Sequence, residues 1–127
     1  MSDALFEKFG DEDREFLNSI GANLFEGPGL IYAVVPDVEL GAPYTPTSAK
    51  VMFQIPFGYP NAGLDMFWTL PHVKLAGTDT DPLQASHCEQ HMGETWQRWS
   101  RHGNWRSGVD NLRTFWRAVQ IELGRAR

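Results

Sequence analysis

The sequence predicts an α+β domain: an N-terminal helix, a four-stranded antiparallel meander sheet, a long loop, and C-terminal helices packed on the sheet. Three observations carry that prediction. Four apolar or β-branched runs between residues 22 and 70 are separated by turn-rich stretches. Connections that short favour antiparallel neighbours, because parallel strands need a long crossover. Val109, Leu112, Trp116, Val119 and Leu123 then step by three and four, the spacing of one apolar helix face. Such a face is the cover that one side of a sheet requires.

Each element has its own local signal. Asp11-Glu12-Asp13 puts acids where a helix N-terminus favours them, Phe16, Leu17 and Ile20 share a face, and Gly21 ends the helix. Ala22 to Glu26 forms a short first strand, followed by the turn Gly27-Pro28-Gly29. Leu30 to Val35 is β-branched and aromatic, the composition of a strand. Residues 36–48 hold three prolines and form a loop. Lys50 to Ile55 alternates, with Val51, Phe53 and Ile55 on one side, and Pro56 stops it. Phe57 to Gly63 is an irregular connection, Leu64 to Leu70 is the fourth strand, and Pro71 closes it. Ala76 to Met92 shows no periodicity; long structureless segments in small domains are uncommon and often functional. A short helix is expected from Glu94 to Arg101, with Trp96 and Trp99 on one face and Gly103 after it. The last helix opens with the capping-box-like Ser107 to Asp110 and ends at Gly124.

The chain has 127 residues, enough for one domain with a sizeable core and no staples. Hydrophobic residues make up 42% and charged residues 21%, which excludes a disordered or low-complexity chain. A net charge of −5 has the wrong sign for a generic nucleic-acid binder. The acids gather early, whereas seven arginines follow Glu94, most simply as a solvated surface. A single cysteine, Cys88, excludes an internal disulfide and fits a reducing compartment. No apolar run approaches the ~20 residues of a membrane span, and the start has no signal-peptide pattern. A cytoplasmic protein with no membrane partner is expected.

The densest reactive cluster is Ser86-His87-Cys88-Glu89-Gln90-His91. A thiol attacks as thiolate, and a nearby imidazole can take its proton. His91 stands three residues after Cys88 and would share its face in a helical turn. His87 would face elsewhere in a helix but could converge in a loop. An inert buried cysteine is the plain alternative. A zinc site from His87, Cys88 and His91 with His72 or His102 is a further one, but paired ligand spacing is missing. Trp96, Trp99, Arg101 and His102 read as packing before they read as a stacking face for a ligand. Ser86 lacks a nucleophile elbow, and there is no phosphate-binding glycine loop, so no cofactor is implied.

The whole pattern resembles the ubiquitin-conjugating enzymes. Ile55-Pro-Phe-Gly-Tyr59-Pro60 resembles the segment those enzymes place between their third and fourth strands. Trp105 before the last helix resembles their tryptophan ahead of the helix that follows the active site. Asp65-Met-Phe-Trp68, Thr95 to His102 and Trp105 to Asp110 are closer to the prokaryotic ubiquitin-conjugating-enzyme-like proteins, and the likeness spans about residues 11–123. That branch is encoded beside ubiquitin-like proteins, ThiF-type activating enzymes and JAB-type peptidases, in operons some of which are linked to antiphage defence. The resemblance implies one ubiquitin-conjugating-enzyme-like domain over 1–127. It implies that Cys88 accepts the carrier's C-terminus from the activating enzyme as a thioester and passes it to a lysine of a target protein. It also implies His91 as catalytic partner, with His87 the weaker candidate.

Two departures accompany the likeness. The family's upstream His-Pro-Asn is replaced by Pro71-His72-Val73-Lys74, which lacks the asparagine. Asn61-Ala62-Gly63 stands where a proline pair often follows Tyr-Pro. The alternative reading is therefore a non-catalytic interaction module that binds a ubiquitin-like protein or an activating enzyme. Self-modification, if it occurs, is expected at Lys8, Lys50, Lys74 or the N-terminal amine.

Overall fold

The computed structural model describes residues 3–127, so the N-terminal amine lies outside the described residues. Two helices open the chain, α1 (Asp3–Phe6) and α2 (Asp11–Ser19). α2 begins with Asp11, Glu12 and Asp13 and buries Phe16 and Leu17. Gly21, at φ +68°, then turns the chain into the sheet. That left-handed conformation is one that glycine adopts without steric cost.

The strands are β1 (Asn23–Gly27), β2 (Leu30–Glu39), β3 (Tyr44–Thr45), β4 (Ser48–Pro56), β5 (Phe67–Leu70), β6 (Lys74–Leu75), β7 (His87–His91) and β8 (Glu94–Trp99). Six of them form one antiparallel sheet in the order β1-β2-β4-β5-β8-β7, and β3 pairs with β6 in a second, small ladder. The four expected strands form the part of this sheet from β1 to β5, with the fourth shorter than expected. The expectation of four strands alone is corrected, because a β7–β8 hairpin extends the sheet.

That hairpin also replaces the helix expected at Glu94 to Arg101 and the last part of the expected structureless loop. Trp96 and Trp99 sit three apart, which suits a helix face but in a strand sends them to opposite faces. Trp96 packs with Tyr32, Val34, Met52 and Trp68 on one side. Trp99 packs in the larger cluster on the other. A strand buried on both faces has no alternation for sequence reading to find. The turn between the two strands is Met92-Gly93, both at positive φ (53° and 78°). Two such residues make the two-residue turn that matches strand twist.

α3 (Leu112–Gly124) covers the larger face with Leu112, Trp116, Val119 and Leu123. Its start lies later than the sequence suggests. Asn111, not Ser107, caps it: the Asn111 side chain accepts the Thr114 N–H, and the Thr114 hydroxyl accepts the Asn111 N–H. Gly108, at φ +82°, turns the chain before the helix, so Val109 is left 60% exposed. One C-terminal helix, rather than several, is seen among the described residues.

The Tyr59-Pro60 connection is tied to the segment before α3. The Trp105 N–H donates to the Pro60 carbonyl at 2.9 Å, and its ring packs against Tyr59. The Tyr59 hydroxyl accepts the Leu112 N–H at 3.0 Å. Gly63 is required here for space: a Cβ would meet Trp105 Cγ at 2.1 Å.

Candidate active site

Cys88 lies on β7, the edge strand, and its side chain is exposed. In a strand successive side chains alternate between faces. Cys88 pairs in register with Gln97, which pairs with Thr69, which pairs with Val51. This row lies on the α3 side of the sheet. His87, Glu89 and His91 alternate to the opposite face, in register with Arg98, Trp96 and Glu94. The helical turn expected to bring His91 beside Cys88 is thus corrected to a strand, and three residues' separation puts the two on opposite faces. His87 lies on that opposite face as well.

The imidazole that does meet the thiol is His72, in the short link between β5 and β6. Its Nδ1 lies 3.8 Å from Cys88 Sγ. Its Nε2 lies 2.6 Å from Asp81 Oδ1, and the Lys74 ammonium meets the same oxygen at 2.8 Å. The Lys74 ammonium, then the His72 N–H, hold the Asp81 carboxyl down to about 2. A carboxylate so depressed stabilises the fold above its unfolded value of about 4, and that contribution fades as pH falls toward 2. Urea midpoints of wild type and Asp81→Asn should therefore differ at pH 5 and converge as the pH drops to about 2. A difference that persists unchanged through acid would contradict the ion-pair account.

Gln97 sets this geometry from beneath, at 1% exposure. Its Oε1 accepts from the Thr69 hydroxyl at 2.8 Å and from the Val73 N–H at 2.7 Å. Its Nε2 donates to the Val73 carbonyl at 2.9 Å and to the Ala85 carbonyl at 2.8 Å. One side chain thus ties down the residue after His72 and the segment leading into Cys88. Sequence reading had no cue for it, since a glutamine between Thr95 and Arg98 looks like a surface residue.

The opposite face of β7 carries a separate network. Glu89 accepts from the Trp68 N–H at 2.8 Å and from Arg98 at 2.8 Å. His91 lies between Glu89, at 3.0 Å from its Nε2, and the Tyr32 hydroxyl, at 3.2 Å from its Nδ1. Burial alone would push the Glu89 carboxyl up, but His91, Trp68 and Arg98 together hold it below its usual range. His91 is therefore built into a packed polar cluster.

The zinc reading does not assemble. Among the described residues no group of three or more His, Cys, Asp or Glu is placed to hold a metal ion. His102 pairs instead with Asp65 at 2.7 Å. Arg101 is a buried clamp: it donates to the carbonyls of Leu83, Glu122 and Arg127 and lies 4.9 Å over the Trp99 ring. It ties the stretch before β7 to the end of α3.

A groove of about 600 Å³ runs between residues 101–106 and α3, and Cys88 does not line it. The Cys88 thiol stands on exposed surface. Among the described residues, no helix is long and apolar enough to cross a membrane. Comparison with protein families gives a match to prokaryotic E2 family E over residues 9–126. Neither the curated proteins nor the solved structures compared with the chain gave a match.

Proposed function

Because the chain belongs to prokaryotic E2 family E, a family of bacterial ubiquitin-like conjugation, we propose that it is a conjugating enzyme that carries its cargo on Cys88. The thiol accepts the C-terminal glycine of a ubiquitin-like protein from a ThiF-type activating enzyme, as a thioester. It then passes that acyl group to a lysine of a target protein. The single observation that supports this most is the placement of the chain's one cysteine: exposed, on an edge strand, with an imidazole 3.8 Å from its sulfur. A thioester is an activated acyl group, so the enzyme needs an accessible sulfur and a proton acceptor more than a deep pocket. In this reading His87 and His91 serve the opposite face of β7 rather than the thiol.

The test is a charging assay with an activating enzyme, a ubiquitin-like protein and ATP, run on gels with and without reductant. Wild type should form a reductant-sensitive adduct, and Cys88→Ala should form none. An activating enzyme that charges itself but leaves this chain uncharged would overturn the reading in favour of a binding module.

A further inference from the structure

We propose that His72 is the general base for acyl transfer at Cys88, and that Asp81 is the positioning residue that holds His72 in the tautomer this requires. The inference rests on the reading of Cys88 as the acyl acceptor. The Asp81 carboxylate, 2.6 Å from Nε2, demands a hydrogen on that nitrogen. The neutral ring then keeps its lone pair on Nδ1, the atom that faces Cys88 Sγ at 3.8 Å. Gln97 Nε2 lies 3.3 Å from His72 Nε2, but both its hydrogens are committed to the Val73 and Ala85 carbonyls. Gln97 therefore packs against the ring without competing for either nitrogen.

The titratable groups around the ring are Asp81 and Cys88 in contact with it, with Lys74 bound to Asp81 and Asp79 3.8 Å from Lys74. Lys74 offsets the Asp81 charge and fixes the same oxygen that orients the imidazole. This is the order nucleophile, base, orienting carboxylate that recurs on unrelated folds whose thiol or hydroxyl performs acyl transfer. The carboxylate here comes from the irregular segment before β7, nine residues after the histidine.

The step balances without any added reactant. An amine nitrogen attacks the thioester carbonyl carbon, and a carbon–nitrogen bond forms as the carbon–sulfur bond breaks. Nδ1 takes the proton that the amine loses. It returns that proton to the departing Cys88 sulfur, which restores the thiol and the neutral ring.

Cys88 is the only cysteine, so a small aryl thioester of N-acetylglycine places an acyl-glycine thioester on one known sulfur. Its loss to free lysine is then followed by mass spectrometry as pH is raised through the neutral range. Wild type should transfer at least about tenfold faster than His72→Ala at pH 7, with a rate that rises as an imidazole loses its proton. Asp81→Asn should fall between the two, and added imidazole should restore part of the rate to His72→Ala. Equal rates in wild type and His72→Ala across the pH range would overturn the proposal. So would a loss in His91→Ala as large as that in His72→Ala. Normal charging by the activating enzyme with transfer independent of His72 would remove the base and keep the conjugating function. Transfer that depends on His72, without charging by any activating enzyme, would do the reverse.

Discussion

Gln97→Leu is expected to lower folding stability by about 3 kcal/mol or more. The substitution keeps the volume nearly constant, so the loss is not a cavity effect. It arises because the Val73 N–H, the Val73 and Ala85 carbonyls and the Thr69 hydroxyl all bond to this one amide. Each buried group left unpaired costs about 1–3 kcal/mol, and the hydroxyl, which can rotate, sits at the low end of that range. Urea unfolding should show a lower midpoint with an unchanged slope. Gln97→Glu should be intermediate or worse, since it keeps an acceptor for Val73 N–H but puts carboxylate oxygens against two carbonyls. A midpoint shift worth under about 0.5 kcal/mol would mean water replaces the amide and the node does not hold the segment.

The same glutamine shows where sequence reading stops. The α3 face was legible because Leu112, Trp116, Val119 and Leu123 recur at a helical period and all reach the core. Val109 continues that period on paper, but Gly108 turns the chain before the helix can begin. The meander from β1 to β5 was legible because Gly27, Pro28, Gly29 and Pro56 punctuate it. The β7–β8 hairpin was not, because its turn is Met92-Gly93 rather than the Asn-Gly that signals such a turn. That one misreading changed which histidine stands beside the thiol. A helical turn would join Cys88 to His91, whereas a strand separates them and leaves the thiol facing a histidine 16 positions upstream. Sequence reading singled out the one cysteine as the candidate, and the family match covers residues 9–126. Only the pairing of β8 with both β5 and β7 puts Gln97 and Cys88 in one row with Thr69, beside the link that carries His72.

Trp99→Ala should cost still more, about 3–5 kcal/mol, the range for truncating a large buried aromatic residue. Trp99 is fully buried. Its ring stacks on Phe67 at 5.1 Å between centroids and meets Tyr44 edge-on at 6.0 Å. The Arg101 guanidinium lies over it, and its N–H donates to the Thr69 hydroxyl at 2.9 Å. That last bond joins Trp99 to Gln97, since Thr69 passes its own hydrogen to Gln97 Oε1. The two losses should therefore not add: the double variant is expected to fall short of the sum by about 0.5 kcal/mol or more, because each single change already disrupts Thr69. Trp99→Phe separates the contributions, keeping much of the stack while deleting the N–H. It should lose about 1–2 kcal/mol. Strict additivity of Trp99→Ala with Gln97→Leu would show that the Trp99–Thr69–Gln97 chain is three independent contacts. Coupling would show it to be one device that anchors the edge strand, and with it the thiol, to the centre of the sheet.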